Sequence, residues 1–297
     1  MNLLKNICHL LQKSGSILLE KSLQFVPSRG FYNYIKEFFM LTQVIEIVKE
    51  ASSFFHKDIE IHDKAGTGNY VTTADIQVEK FLKEKLPSVI PGSGFIGEEG
   101  DIVNPDQQYV WVVDPIDGTT NFIYQMNLSC ISVGLLKDGV PYLGVVYNPY
   151  TEDLFTGVLG EGAYHNGEKL QVSDRDFPHS LLFMGFHPYD KTFSPPAYRI
   201  LSRVFNECED MRRLGVAAIE LSLLAKGKAG LYFEPQLNPW DYCAAMVFIK
   251  EAGGYIGSPI MEKITFDRPQ PIVAANTKEN FDKLMNIVKE ELGTANP

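Results

Sequence analysis

The 297-residue chain has no basic run, no paired cysteines and no apolar stretch of membrane length. Each absence excludes something. With 27 Lys+Arg against 37 Asp+Glu the formal charge is −10, which argues against nucleic acid as the main partner. An anionic ligand would then need a local positive source, and a bound metal can supply one. No apolar run approaches the ~18–20 residues of a membrane span. The N-terminal region has Lys5, Lys13 and Lys21 but neither a continuous apolar core nor a small-residue cleavage site. The expectation is a cytoplasmic protein with no signal peptide and no membrane partner. Cys8, Cys130, Cys208 and Cys243 are scattered without a CxxC pair, the pattern of free thiols in a reducing compartment. The six histidines show no zinc-type spacing and read as surface or packing residues.

What is present is an ordinary globular composition, 45% hydrophobic and 22% charged, over a length that suits one large unit or two domains. Apolar residues at helical spacing run through residues 1–30, interrupted at Gly15 and ended at Pro27-Ser28-Arg29-Gly30. A second helical pattern takes in Ile35, Phe38, Phe39, Val44, Ile45, Val48 and Phe55. A loop holding Lys64 leads to Asp75, where another helix begins; Pro87 and Pro91-Gly92 are expected to stop it. Phe95-Ile96-Gly97 reads as a strand. Strands over 130–137, 142–147 and 153–158, the first two joined at Lys137-Asp138-Gly139, predict an antiparallel sheet. The second half alternates: strand 181–185, helix 196–208, helix 216–226 ended by Gly227, strand 229–233, helix 239–252 with Pro239 in its first turn, strand 272–275, and a last helix 278–292 capped by Asn276 with Glu279.

The chemistry concentrates in Trp111-Val-Val-Asp-Pro-Ile-Asp-Gly-Thr-Thr-Asn-Phe122. Residues 109–113 read as a buried strand that ends at Asp114. A buried strand delivering two carboxylates into a Pro/Gly turn is costly as core, because unpaired buried carboxylates are unfavourable. It suits a hard cation such as Mg²⁺, which takes oxygen ligands. The backbone N–H groups of Gly118, Thr119 and Thr120 could then receive a phosphate, particularly if Thr119 opens a helix. Acids also end apolar segments or start helices at three other places: Asp75, Glu98-Glu99 and Asp241. Each has a plain alternative. Asp75 can cap its helix, Asp241 can serve as an N-terminal charge, and Glu98-Glu99 can be a solvated turn. Five carboxylates converging on one point would repel strongly without cations.

These motifs resemble the inositol monophosphatase family, within the magnesium-dependent, lithium-sensitive sugar-phosphate phosphatases. The resemblance rests on Val71-Thr72-Thr73-Ala74-Asp75 with Lys64 before it, Gly97-Glu98-Glu99, the 114–122 motif, and Pro239-Trp240-Asp241 through Ala244-Ala245 to Gly253-Gly254. Order and spacing hold from about Met40 to near residue 290. The resemblance implies an α+β fold, a layered αβαβα sandwich like that of the inositol monophosphatases and fructose-1,6-bisphosphatases. The implied units are an N-terminal α+β half, 40–149, holding most metal ligands, and a C-terminal α/β half, 150–297. Residues 1–39 are then a helical extension or an over-extended start.

The family likeness also implies roles. Glu98, Asp114 and the Ile116 carbonyl would hold a first Mg²⁺, and Asp114, Asp117 and Asp241 a second, with a third, looser ion by Glu98. Thr119, paired with Asp75, would orient the attacking water together with Glu98. Gly118 and Thr119 would hold phosphate through their N–H groups. Gly215, Val216, Ala217 and Glu234 occupy the positions that contact substrate hydroxyls, and Lys64 lies on a loop approaching the third ion. Homodimers are usual in the family. Two departures bear on substrate: Val216 stands where a small hydroxyl residue is common, and Tyr124-Gln125 where a histidine-basic pair is common. The expected activity is Mg²⁺-dependent hydrolysis of a small polyol or sugar phosphate, inositol 1-phosphate foremost. Within the class, fructose-1,6-bisphosphate and 3′-phosphoadenosine nucleotides are the runners-up. A non-catalytic regulatory binding partner on the same fold is the alternative of another class.

Overall fold

The computed structural model describes residues 29–56, 59–64, 70–100, 102–186 and 191–293. The chain divides into two units, Met1–Gln43 and Val44–Pro297. Of the first, the described part is the start of helix α1 (Arg29–Ala51), whose last turns belong to the second. The helical pattern over 1–28 lies outside the described residues.

The second unit continues with a 3-10 turn, Ser52–His56, and a hairpin of β1 (Ile61–Asp63) and β2 (Tyr70–Thr72). Helix α2 (Thr73–Val89) leads to β3 (Gly94–Gly97), β4 (Ile102–Val103) and β5 (Tyr109–Asp117). After the short helix α3 (Thr119–Ile123) come β6 (Cys130–Lys137), β7 (Val140–Asn148), β8 (Asp153–Val158), β9 (Gly162–His165) and β10 (Glu168–Lys169). Then follow β11 (Leu181–Met184), α4 (Ser194–Phe205), β12 (Asp210–Arg212), α5 (Ala217–Ala225) and β13 (Leu231–Leu237). Helix α6 (Pro239–Glu251), β14 (Tyr255–Gly257), β15 (Gln270–Ala275) and α7 (Lys278–Gly293) complete it.

The larger sheet has the order β10-β9-β8-β7-β6-β5-β3-β4 and is antiparallel except where β3 meets β5. It draws strands from both sides of position 149. The smaller has the order β12-β11-β13-β15-β14, with β11 parallel to both its neighbours. Helices α5 and α6 are apolar nearly all round, and that composition calls for burial on every face. They share one core with Val146 and Phe155 of the larger sheet and Tyr232, Ile272 and Ala274 of the smaller. On the far side of the smaller sheet, Ile200 and Val204 of α4 and Leu284 and Val288 of α7 pack on Leu182, Phe233 and Val273. On the far side of the larger, α2 packs against β5. The result is the expected αβαβα layering.

A row of glycines sets the height of α6. Gly134, Gly144 and Gly157 are cross-strand partners on β6, β7 and β8. A Cβ at Gly134 would stand 2.6 Å from the Cys243 sulfur, and one at Gly144 2.4 Å from the Ala244 carbonyl oxygen. The helix therefore lies directly on the sheet backbone, and this contact fixes where its N-terminal Asp241 sits.

Several expectations hold closely. Asp138 (φ 51°) and Gly139 (φ 71°) make the two-residue β6–β7 turn, and Pro239 opens α6. Others need correction. The strand expected to end at Asp114 continues to Asp117. The helix expected to stop at Pro87 runs to Val89; a proline in the final turn removes one ladder bond and leaves little helix to kink. Arg29 and Gly30 begin a helix rather than ending one. The cap of α7 is Thr277, whose hydroxyl accepts the Asn280 N–H at 3.2 Å. Asn276 instead donates to the Ser173 and Arg175 carbonyls at 3.0 and 2.8 Å. No described helix is long and apolar enough to cross a membrane. Cys130, Cys208 and Cys243 are free thiols, and Cys8 lies outside the described residues.

Candidate active site

In a regular strand, residues three apart face opposite sides. Asp114 and Asp117 would then diverge. The β5–β6 register shifts between them: Asp114 opposes Ser132 and Asp117 opposes Cys130, so three steps on β5 match two on β6. This bulge brings the two acids back into phase, a common use of bulges beside functional sites. Pro115 takes no ladder bond, and the Ile116 N–H donates to Asp114 Oδ1 at 3.0 Å. Gly118, with φ 85°, turns the chain into α3.

The other acids arrive on helix starts and a strand end. Asp75 and Thr72 form a capping box on α2, with Asp75 Oδ2 accepting the Thr72 N–H at 2.7 Å and its hydroxyl at 2.5 Å. The second oxygen remains for the site: Thr119 Oγ1 lies 3.4 Å from Asp75 Oδ1 and 3.1 Å from the Ile116 carbonyl. Asp241 caps α6 in the same way, accepting the Asn238 N–H at 2.7 Å. The plain capping roles and the functional ones thus coexist, because a carboxylate has two oxygens. Glu98-Glu99 is no solvated turn. Lys64 Nζ lies 3.4 Å from Glu98 Oε1 and 2.7 Å from Glu99 Oε1. Lys64 therefore meets the acids at Glu98-Glu99.

The electrostatics follow from burial. Asp75 is 0% exposed, Asp114 2% and Asp117 8%. Burial, then Glu98, Asp117 and Asp241, hold Asp114 well above the usual carboxylate range. Burial, then Asp117 and Glu98, do the same to Asp241. Burial pushes Asp117 up to about 7, opposed by the Ala218 N–H and reinforced by Glu234 and Glu98. Burial also lifts Asp75 to about 7 against its bonds from Thr72. Burial would lower Lys64, but Glu98 and Glu99 outweigh it and raise its pKa.

Among the described residues, no three His, Cys, Asp or Glu side chains stand as a preformed metal cage. The donor set is nonetheless that of a hard divalent cation: carboxylate oxygens and a carbonyl, buried and mutually repelling. No ion pair among the described residues reaches Asp114, Asp117 or Asp241, so a cation at these oxygens would offset both the burial and the added repulsion that raise all three. The residues fit Mg²⁺ by chemistry, and Glu98, Asp114, Ile116, Asp117 and Asp241 are the ones that would hold it.

On the opposite flank, Ala218 at the start of α5 donates its N–H to Asp117 Oδ2 at 2.6 Å. Gly215 has φ 75°. Val216 is fully buried, and a Cβ on Gly118 would stand 2.6 Å from its Cγ2. Its side chain thus supports the Gly118 turn from behind. Glu234 on β13 is buried and accepts the Tyr232 hydroxyl at 2.7 Å; burial pushes it up to about 7, with Tyr232 and Arg213 opposing. Tyr124 is exposed at the end of α3.

Four supporting residues were not singled out from sequence. Glu79 Oε2 accepts the Glu99 N–H at 2.9 Å and packs on Gly97; it stands four residues after Asp75, on the same helix face, which is the signal that points to it. Asn121 Nδ2 donates to the Leu128 and Leu214 carbonyls at 3.0 and 2.8 Å. Tyr232 shares a face of β13 with Glu234, two residues on, and donates its hydroxyl to it. Glu220 on α5 has no sequence signal beyond being an acid in an apolar helix. A cavity of about 500 Å³ behind α6, lined by Val140, Met246, Tyr255, Ile264 and Phe266 among others, contains none of these residues.

The chain is similar to known proteins over most of its length. The model of the inositol monophosphatase family matches residues 35–292. The protein named Nus factor SuhB of Escherichia coli (strain K12) is 34% identical over 224 residues, covering 73% of this chain and 84% of that one. The inositol-1-monophosphatase of Synechocystis sp. is 37% identical over 215 residues, covering 70% and 74%. The solved inositol monophosphatase of Anabaena (Nostoc) sp. superposes with a TM-score of 0.73 at 30% identity, covering 84% and 95%.

Proposed function

The chain belongs to the inositol monophosphatase family, and on that premise we propose that it is a Mg²⁺-dependent phosphomonoesterase acting on a small polyol or sugar phosphate, inositol 1-phosphate foremost. One observation carries the reading. A bulged β5 puts Asp114 and Asp117 in phase with each other, buried, in electrostatic reach of Glu98 and Asp241, with Thr119 Oγ1 3.4 Å from Asp75 at the same turn. The family is generally Mg²⁺-dependent. Two or three Mg²⁺ held by Glu98, Asp114, Ile116, Asp117 and Asp241 would neutralise phosphoryl charge and make water a better nucleophile.

The remaining work falls to the chain. Thr119, whose hydroxyl faces both Asp75 and the Ile116 carbonyl, orients the attacking water. Asp75, held by Thr72, takes up the proton that Thr119 passes on. The N–H groups of Gly118 and Thr119 hold the phosphate, positioning it rather than reacting with it. Glu234 accepts a substrate hydroxyl, and its charge disfavours a second phosphate placed against it. A panel of inositol phosphates, sugar phosphates, fructose-1,6-bisphosphate and 3′-phosphoadenosine nucleotides, compared by kcat/KM with and without Li⁺, tests the substrate class. Inositol 1-phosphate or another monophosphorylated polyol is expected to lead; a bisphosphate winning by a wide margin would sink that choice. The likeness to a protein named Nus factor SuhB favours a second reading, a regulatory partner on the same fold. Phosphate release from no member of the panel would select it.

Gly97→Ala tests the support behind Glu98. A Cβ there would stand 2.4–2.7 Å from the Glu79 carboxylate atoms, so Glu79 and the Glu98-Glu99 turn cannot both keep their places. Turnover is expected to fall at least about tenfold, as for the loss of a residue orienting a metal ligand, with circular dichroism unchanged. Wild-type turnover in this variant would contradict it.

A further inference from the structure

We propose that Glu220 is a positioning residue for the 214–216 loop and, through it, for substrate affinity. The proposal rests on the functional reading above, extended by the family resemblance that puts the backbone of the Gly215–Ala217 segment against the substrate hydroxyls. The loop makes a sharp turn at Gly215 (φ 75°). Backbone N–H groups in such a turn need partners when it is packed against the body of the protein. Here both go to one side chain. Glu220 Oε1 accepts the Leu214 N–H and, at 3.3 Å, the Gly215 N–H. Asn121 holds the same loop by the Leu214 carbonyl at 2.8 Å. The loop is thus gripped between the phosphate motif and α5.

Glu220 is 0% exposed. An acid in a buried apolar helix is expensive unless it forms strong bonds; two backbone donors meeting Oε1 offset part of that cost, while the buried Oε2 has no hydrogen-bond partner among the described residues. Val216, the N-cap of α5, makes no side-chain cap bond. The local donors therefore go elsewhere: the Ala218 N–H to Asp117 at 2.6 Å, and the Leu214 and Gly215 N–H groups to Glu220. Helix α5 serves the acidic cluster and the substrate loop through different atoms, so the two can be separated by mutation. Burial, with Glu234 adding, pushes Glu220 up to about 8. A neutral glutamine of the same shape keeps the oxygen that the loop uses.

The test compares Glu220→Ala, Glu220→Asp and Glu220→Gln in the full chain. Steady-state kinetics on inositol 1-phosphate, Mg²⁺ titration and hydrogen exchange of the 214–216 amides are read together. The expected result for Glu220→Ala is a KM raised about tenfold, the scale of two stranded buried donors, with kcat and the Mg²⁺ requirement little changed and faster exchange confined to the loop. Glu220→Asp, one methylene short, should raise KM by less, and keeps the test available if the alanine variant does not fold. Glu220→Gln should restore both KM and protection. A purely structural role would lower the thermal midpoint and the active fraction but leave KM alone; that pattern, or glutamine as damaging as alanine, would overturn the inference. An active wild type with KM unmoved in all three variants fails this inference alone. A wild type that hydrolyses nothing fails the functional reading and, with it, the link to substrate.

Discussion

Asparagine in place of Asp117 is expected to cost more than about 100-fold in kcat/KM, above the range seen when only a residue supporting a metal ligand is lost, and to leave the protein folded. The two effects separate because Asp117 has two duties. One oxygen accepts the Ala218 N–H at 2.6 Å, and the asparagine carbonyl oxygen can take over that bond. The negative charge is the part that cannot be replaced. Asp117 is also among the causes that hold Asp114 and Asp241 above their ordinary range. Without a cation, removing its charge relieves repulsion, so the metal-free thermal midpoint should stay level or rise. Phosphate release, calorimetric Mg²⁺ binding and melting of the metal-free protein check the three parts. Activity within about tenfold of wild type would place Asp117 outside the tenfold-to-hundredfold class of metal-site residues.

The second large effect is on stability. Asp75 and Asp117 are both pushed from 3.8 to about 7 in the folded state. A carboxyl with a raised folded pKa binds its proton more tightly folded than unfolded. Its contribution is therefore intact below the unfolded pKa and is lost as pH rises through the folded one. The metal-free protein should lose stability from near pH 4 to past pH 7 on this account. Asp114 and Asp241 are shifted in the same direction. Mg²⁺ competes with those protons and binds the folded form, adding about 2.7 kcal/mol at a hundred times its Kd. At about 2–4 °C per kcal/mol for a chain of this size, the midpoint should rise by roughly 5–10 °C at pH 8 and by clearly less at pH 5.5. Equal shifts at the two pH values, or none at either, would contradict the placement of Mg²⁺ among these acids.

Much of this was legible in the sequence, for physical reasons. The 114–122 motif combines acids, a proline and a glycine in an order that core packing does not demand, and the structure brings Asp114, Asp117, Glu98, Asp241 and Asp75 into mutual electrostatic reach. The ends of helices α5 and α6 were legible from Gly227 and Pro239, but their burial on every face was not drawn from their composition. The bulge in β5 was not legible: Pro115 suggested a strand end, and only pairing with β6 reveals that the strand continues one residue out of register. The short strands β1, β2, β4, β9, β10, β12 and β14, each of two to four residues, are too brief for a period to show. Glu79 and Glu220 were missed because an acid reads as solvated surface until its burial is known. The Val216 side chain packs behind Gly118, a supporting contact that no periodicity in the sequence announces.

The central claim is that this acidic cluster, loaded with Mg²⁺, hydrolyses a phosphomonoester. Phosphate release from inositol 1-phosphate, measured with Mg²⁺, with a chelator, with Li⁺ and with Asp117→Asn, tests it most directly. Release that requires Mg²⁺, stops on chelation, falls with Li⁺ and is absent from the variant is the predicted result. Release that survives the chelator or the Asp117→Asn substitution, or no release at all from the wild-type protein with Mg²⁺, would contradict it.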